Sequence, residues 1–351
     1  MGKTQKRVDE AGLYLEGVSL HAEEIGKLEK QLLQEPNDFV LRTKALAFYS
    51  KYGRDKKYPQ RFEEHLLWMI EYKPTAFVLG SLPRVDDIGL IQKAQLSWEG
   101  VANRFPKNVK ILAAAANFCV LSAPKASEKY WQRAIKLDPL DEDLWRELAF
   151  LYSLNTQKVR SKSDRGNALK MFSAAKKAFE LHKKKPKPSY LENYMEIETR
   201  KFAEVCLKFN MLEAASYFGN YLLDRQVKYK ERASKFEVHT AHCILGQVAL
   251  KRRRVALAEK HLLTMPKYGS ADWRFDLVLA NKMLEKGQRE VVIQYLDGVK
   301  EEIEASAAKV KKTSRSMSDY LAINYQRKID AAKGWIKALR AGKNPELSSH
   351  L

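Results

Sequence analysis

Glycine and proline are scarce in this sequence of 351 residues, which contains 16 glycines and 11 prolines. Proteins built only from β-strands need many tight turns, and those turns depend heavily on these two residue types. The scarcity therefore argues against an all-β fold. Runs of Ala, Leu, Glu, Lys and Arg dominate instead. These residues have high helix propensity, so the composition favours an all-α protein.

Long apolar runs are also missing. Ile111–Ala116 is among the longest, whereas a membrane-spanning helix needs roughly 20 apolar residues. The first residues, MGKTQKRVDEAG, lack the apolar core of a signal peptide. We therefore expect no membrane insertion and a cytoplasmic location. The three cysteines, Cys119, Cys206 and Cys243, form no C-x-x-C pair, and each is predicted to be a buried apolar residue in a reducing compartment.

Motifs for catalysis or metal binding are absent as well. The sequence contains no G-x-S-x-G elbow and no H-E-x-x-H. The GKT at Gly2–Thr4 lacks the glycine and the strand that precede it in a phosphate-binding loop. His239, His242 and Cys243 supply too few ligands for a structural zinc site. We therefore predict no catalytic residues, no cofactor and no metal. An enzyme would need several buried titratable groups that converge on a pocket.

Prolines recur with a regular spacing. Pro36, Pro74, Pro106 and Pro139 are 38, 32 and 33 residues apart, which is close to the period of a helical-repeat array. Small and large apolar residues precede them at fixed distances, in particular Phe62, Leu66, Met69, Ala94, Trp98, Val101, Trp131 and Ala134. Positions twelve, eight and five residues before each proline share one face of a helix, and proline ends that helix.

These residues resemble the tetratricopeptide repeat, whose pattern is W-x2-L-G-x2-Y followed by A-x3-F-x2-A-x4-P. The resemblance covers most of residues 20–305. Its closest matches are Ala94-Trp98-Val101-Pro106 and Leu245-Gly246-Ala249 with Ala258-Leu262-Met265. Two segments, HLLWMIEYKP (65–74) and the segment 269–297, further resemble a group of bacterial tetratricopeptide-type proteins of unassigned activity. The resemblance implies a right-handed helical-repeat solenoid whose concave groove binds a protein segment.

The predicted organisation has four parts. Residues 1–155 and 189–305 are tetratricopeptide-like repeats, residues 156–188 form a basic loop and helix within the array, and residues 306–351 form a linker and a C-terminal capping helix. The amphipathic pattern of Ser316–Arg340 predicts that capping helix, because a repeat array needs a polar end. Gly246, within a predicted helix, is expected to permit a close contact with another helix.

The net charge is +20, which indicates attraction to an acidic protein or to nucleic acid. Residues 157–188 alone carry eleven Lys and Arg against two acidic residues, although such runs also form ordinary solvated loops. Lys251–Arg254 is a second basic cluster, and these cations could instead serve only to stabilise the C-terminal end of a helix. The sequence predicts a non-catalytic scaffold for a protein or peptide partner, with RNA binding as the alternative. The predicted partner-binding residues are Lys176, Lys177, Tyr217, Tyr221, Arg252, Arg253 and Arg254.

Overall fold

The computed structural model describes residues 9–51, 58–82, 87–156, 162–184, 192–228, 235–268, 277–313 and 318–347. Within those ranges the chain forms seventeen α-helices, one short 3₁₀ turn and no β-strand. The chain divides into two compact units. Unit 1 comprises Met1–Leu154 and Ser173–Lys185, and unit 2 comprises Asn155–Phe172 and Pro186–Leu351. The prediction of an all-α protein is confirmed.

Unit 1 contains helices α1 to α9 and the end of α10. Their bounds are α1 Glu10–Ser19, α2 Ala22–Gln34, α3 Phe39–Lys51, α4 Pro59–Tyr72, α5 Phe77–Ser81, α6 Ile88–Arg104, α7 Val109–Cys119, α8 Pro124–Leu137, α9 Glu142–Leu154 and α10 Lys162–Lys183. Apart from α5, these helices are 10 to 22 residues long.

The same turn follows α2, α4, α6 and α8. The residue before each proline leaves helical geometry, with φ between −122° and −138° and ψ between 56° and 81°. Its N–H still donates to the carbonyl four residues earlier, and its own carbonyl accepts from the N–H three residues later. Proline disfavours helical geometry in the preceding residue, which explains why each helix ends there. The predicted turns at the four prolines are confirmed.

Short polar side chains cap α3 and α7, two of the helices that follow these turns. Asp38 accepts from the N–H of Leu41 at 2.8 Å, and Asn108 accepts from the N–H of Ile111 at 3.2 Å. Such caps satisfy backbone donors that have no partner inside the helix. In unit 1 the same proline turn therefore lies between α2 and α3, α4 and α5, α6 and α7, and α8 and α9.

The core of unit 1 is formed by the faces that precede the prolines. Ala94, Trp98 and Val101 are fully buried, and Trp131 is 2% exposed. All three cysteines of the chain are free and buried, as the sequence predicts. Not every aromatic residue of these helices belongs to the core, because Tyr72 of α4 is 62% exposed.

Helix α1 covers α3 closely. A Cβ atom on Gly17 would lie 2.5 Å from the carbonyl oxygen of Lys44 and 2.7 Å from the Cβ of Ala47. Glycine is therefore needed at this contact. Lys44 also pairs with Glu16 at 2.6 Å, and the Lys51 ammonium donates to the Val18 carbonyl at 3.0 Å. Side chains of α3 thus hold α1 on both sides of the glycine.

Unit 2 contains the start of α10 and seven further helices. Their bounds are α11 Glu192–Lys208, α12 Leu212–Lys228, α13 Lys235–Lys251, α14 Val255–Thr264, α15 Val278–Glu285, α16 Arg289–Thr313 and α17 Ser318–Arg340. A 3₁₀ turn, Met265–Tyr268, follows α14. The helix that the sequence predicts near the C-terminus corresponds to α17.

Four helices of unit 2, α11, α13, α15 and α17, end with a left-handed residue instead of a proline. Asn210, Arg253, Gly287 and Gly342 have φ of 56°, 59°, 76° and 80°. At each, the N–H of the left-handed residue bonds the carbonyl three residues back, and the next N–H bonds the carbonyl five residues back. This is the Schellman arrangement, which satisfies the last carbonyls of a helix. It explains how the second half turns its helices with fewer prolines.

Close packing in unit 2 depends on a glycine and a buried ion pair. A Cβ atom on Gly246 of α13 would clash with Leu279 and lie 3.2 Å from the Cβ of His261, so the predicted close helix contact is confirmed. Arg225 of α12 and Glu237 of α13 form an ion pair at 3.2 Å, with side chains 7% and 4% exposed. Both contacts join α13 to its neighbours.

Helix α10 begins at Lys162, within the segment 156–188 that the sequence predicts as a basic loop and helix. One sequence expectation needs correction. The predicted linker after residue 305 is helical as far as Thr313, since α16 continues through the Ala- and Lys-rich segment. Within the described residues, no helix is both long enough and apolar enough to cross a membrane.

Candidate protein-binding groove

A groove of about 970 Å³ opens in unit 1 between α5, the start of α6 and α7. It exists because α5 has five residues, whereas α7 has eleven. Leu82 adopts extended geometry, with φ −66° and ψ 141°. Pro83 follows it in the sequence, and proline disfavours helical geometry in the residue before it. Helix α5 therefore ends before it can cover the face of α7.

Helix α1 holds the short α5 in place at both ends. The carboxylate of Glu10 accepts from the N–H of Phe77 at 2.7 Å. The Tyr14 hydroxyl donates to the carbonyl of Ser81 at 3.1 Å, and the rings of Tyr14 and Phe77 pack edge to face. These contacts satisfy backbone groups that a helix of five residues leaves without partners. These contacts thereby fix the position of α5 at the opening of the groove.

The lining of the groove is mainly apolar and accessible. Phe77, Ile88 and Leu121 are 48%, 73% and 53% exposed. On α7, the small side chains of Ala113 and Ala114 form the floor. The volume of the groove is within the range of known ligand pockets, roughly 300 to 1,000 Å³.

Two polar side chains of α7 stand in this apolar lining. Lys110 and Asn117 both line the groove and are exposed. They are seven residues apart, which places them on one helix face about 10 Å apart along the axis. Within the described part of the chain, Lys110 forms no ion pair. The groove therefore offers one cation and one amide beside an apolar floor.

A second polar cluster lies inside unit 1, where three helices meet. Arg42 of α3 donates through Nη1 to His65 Nδ1 of α4 at 3.0 Å. The Nε2 atom of His65 is 3.0 Å from the Glu29 carboxylate of α2, which also accepts from the Tyr49 hydroxyl at 2.7 Å. The imidazole stacks on the Tyr49 ring, with 5.6 Å between centroids. We call these four side chains the His65 network.

The hydrogen bonds define the electrostatics of the His65 network. Burial alone would raise the pKa of Glu29, but the bonds from His65 and Tyr49 and the charge of Arg61 lower it overall. Burial and the adjacent Glu29 carboxylate raise the pKa of Tyr49. Glu29 is therefore ionised and Tyr49 is neutral at physiological pH. This pattern suits a structural network, because each charge has a protein partner.

An active site needs several titratable groups that converge on a pocket. In the His65 network the titratable groups contact one another, and none of them lines the groove. Sequence reasoning missed this network. The available signal was His65, which lies between Phe62, Leu66 and Met69 on a face that is otherwise apolar. A polar residue on a core face needs buried partners, but those partners lie 16 to 36 residues away.

The predicted lysines lie on the part of α10 that belongs to unit 1. Lys176 and Lys177 are both exposed on that helix. Much of the remaining basic segment, residues 157–161 and 185–191, lies outside the described residues. Neither lysine lines the groove between α5 and α7. Their predicted role in partner binding therefore stays a prediction separate from the groove.

The predicted tyrosines lie on α12 of unit 2. Tyr217 is half-buried and packs edge to face against Phe172 at 5.8 Å. Tyr221 is 1% exposed, so its side chain belongs to the core and offers no surface to a partner in this structure. Spacing along a helix identifies a face, but it does not show whether another helix covers that face.

The predicted arginines form the turn between α13 and α14. Arg252 pairs with Glu213 at 2.5 Å. Arg253 occupies the left-handed position of the Schellman turn, and the Arg254 N–H closes that turn on the carbonyl of Ala249. Arg253 and Arg254 have exposed side chains. The backbone of Arg253 and Arg254 thus forms the turn at this helix end, and the predicted role of the arginines in partner binding stays a prediction.

His242, one of the three residues considered above as possible metal ligands, contacts His261. The two Nδ1 atoms are 2.9 Å apart, while His239 is 2% exposed and stacks on Phe236. Burial and the adjacent His261 lower the pKa of His242 to about 4. Within the described residues, no group of three or more His, Cys, Asp or Glu side chains could hold a metal ion.

The sequence matches no protein-family model, and no curated protein matches it. The tetratricopeptide resemblance therefore depends on the residue pattern around the prolines, and it remains a prediction.

Proposed function

We propose that this protein is a non-catalytic interaction scaffold of tetratricopeptide-like helical repeats, which binds a segment of a partner protein in the groove of unit 1. The exposed apolar groove with Lys110 in its lining is the observation that supports this function. Binding is favourable when a partner removes the apolar lining from water. The positive charge of the chain accelerates the approach of an acidic partner. We place this activity in the cytoplasm.

The test compares two arginine substitutions in the full chain. Ala114→Arg fills the groove, whereas Leu96→Arg makes a similar change on α6 at a side chain that is 69% exposed and does not line the groove. Each tagged variant is used to capture proteins from lysate of the source cells, with and without nuclease, followed by mass spectrometry. Thermal melts establish that both variants fold.

The proposed function predicts a stoichiometric protein that survives nuclease, is retained by Leu96→Arg and is lost with Ala114→Arg. Retention of every partner by Ala114→Arg would contradict a role for the groove. Loss of all partners after nuclease would instead support the alternative, in which the charge of +20 serves nucleic-acid binding.

A further inference from the structure

We propose that the segment bound in this groove is an amphipathic helix of the partner, with a small residue at its closest approach to α7 and an acidic residue near Lys110. This inference rests on the proposed function and names the kind of segment that the groove accepts. The groove is the place where α7 lacks a covering helix. The packing of α1 on α3, within the same unit, serves as the model for how a partner helix would pack on α7.

The face of α3 under α1 can be compared with the face of α7 in the groove by counting residues from the preceding proline. Lys44 and Ala47, which contact Gly17 of α1, come 8 and 11 residues after Pro36. The same distances after Pro106 lead to Ala114 and Asn117 on α7, and both residues line the groove.

A third pair extends the equivalence. Lys51, which bonds the end of α1, and Leu121 of the groove both come 15 residues after their proline. Leu121 lies in the turn that follows α7, because α7 ends at Cys119. The surface of α3 that α1 occupies therefore corresponds to the part of the groove lining formed by α7 and this turn.

The difference between the two places is the length of the covering helix. Helix α1 has ten residues and α5 has five, so α5 is shorter by about one and a half turns. Phe77, Ile88 and Leu121 are left exposed around the missing turns. A partner helix with apolar side chains at i, i+3 or i+4, and i+7 would cover them. The two alanines on the floor allow its backbone to approach closely.

Backbone hydrogen bonding favours a helix over an extended segment. An extended peptide must find partners for its own N–H and C=O groups when it is buried. The backbone of α7 is already bonded within its helix, and Asn117 is the one side-chain amide in the lining. A helix brings its backbone bonds with it. It can therefore cover the apolar lining without leaving polar groups unsatisfied.

Charge determines the polar part of the partner helix. On α3, Lys44 pairs with Glu16 of the covering helix at 2.6 Å. On α7, the lysine is one turn earlier, at Lys110, and it has no acidic partner among the described residues. An acidic residue one turn before the small residue of the partner helix would face it. Such an ion pair adds selectivity more than affinity.

A display library tests this inference directly. The probe is a set of 16-residue peptides on an Ala, Glu and Lys helical frame, with positions on one face randomised. The peptides are selected on the full chain, and the binding of the enriched peptides to Ala114→Arg is then measured. We expect enriched peptides with an apolar face, a small residue and an acidic residue one turn before it. A central proline, which breaks a helix, should weaken their binding by more than tenfold.

A charge exchange then tests Lys110. Lys110→Glu should weaken an enriched acidic peptide about fivefold to tenfold, and replacing the acid of the peptide with lysine should restore binding. Lys125→Glu on α8 is the matched control, because Lys125 is exposed and does not line the groove. It should leave the affinity within about twofold.

The outcomes separate this inference from the proposed function. Enriched peptides that tolerate the central proline but lose binding to Ala114→Arg would show that the groove accepts an extended segment, so the helix would be wrong and the scaffold function would stand. Enriched peptides that bind Ala114→Arg as well as the wild type would contradict both.

Discussion

Arg42 donates to His65, and this contact determines the tautomer of the imidazole. The Nη1 atom of Arg42 lies 3.0 Å from Nδ1 of His65, and a guanidinium can only donate hydrogen bonds. Nδ1 must therefore accept, so the proton is on Nε2 and points to the Glu29 carboxylate 3.0 Å away. We expect long-range ¹H–¹⁵N spectra to show a neutral His65 in the Nε2–H form. An Nδ1–H form would contradict this assignment.

The His65 network should contribute strongly to the stability of unit 1. His65→Phe keeps a ring that stacks on Tyr49, but it removes one hydrogen bond from Arg42 and one from Glu29 at a fully buried position. We expect the free energy of unfolding to fall by about 2 to 4 kcal/mol. Tyr49→Phe removes one of two donors to Glu29 and should cost about 1 kcal/mol. Urea unfolding measures both, and an equal cost for the two variants would argue against the network.

The His242–His261 pair should make unit 2 less stable in acid. Burial lowers both pKa values, with contributions from His261 for His242 and from Lys260 for His261. The unfolded chain therefore binds more protons than the folded chain between the ordinary pKa of about 6.5 and the folded value. The stabilisation is fully present above pH 6.5 and is lost as the pH falls towards 4.

Urea unfolding at several pH values measures this loss. We expect about 1 to 2 kcal/mol between pH 7 and pH 4, less than the full pKa shift implies, because both rings are partly exposed and screened by solvent. The double variant His242→Asn with His261→Asn should show a smaller decrease over the same range. An unchanged pH dependence in that variant would assign the effect to other groups.

Gly17 should tolerate no side chain, unlike Gly100. Gly17→Ala places a Cβ atom 2.5 Å from the carbonyl oxygen of Lys44, and backbone cannot move away as a side-chain end can. We expect a loss of about 1 to 3 kcal/mol in the free energy of unfolding. Gly100→Ala on α6 meets no atom within 4 Å, so it should stabilise the protein by about 0.5 to 1 kcal/mol. Thermal or urea unfolding distinguishes the two signs.

Arg253 and Gly287 should respond oppositely to substitution. Both occupy the left-handed position of a Schellman turn, with φ of 59° and 76°. Arg253→Gly relieves the strain of a side chain in that geometry and should raise the free energy of unfolding by up to about 1 kcal/mol, while Gly287→Ala should lower it by about 1 kcal/mol. A destabilising Arg253→Gly would show that the arginine side chain contributes more than its backbone strain costs.

Local signals explain which parts of the fold were predictable. Pro106 and Pro139 end the preceding helices because they act on the residue before them, and Trp98 and Trp131 mark the buried faces through their spacing. The Schellman turn at Arg253 was not predictable in this way, because arginine is unusual at a left-handed position. Tyr221 was predicted to contact a partner, yet its side chain is buried.

The sequence by itself determined an all-α protein, its proline turns, its buried cysteines and the close contact at Gly246. These features depend on propensity, capping and periodicity, which act over a few residues. Tertiary structure alone decided that Arg42, Glu29 and His65 meet from three helices, and that the shortened α5 leaves α7 open beside Lys110. The physical reason is that a groove or a buried network depends on which helices pack together, and residues distant in the sequence share no local pattern.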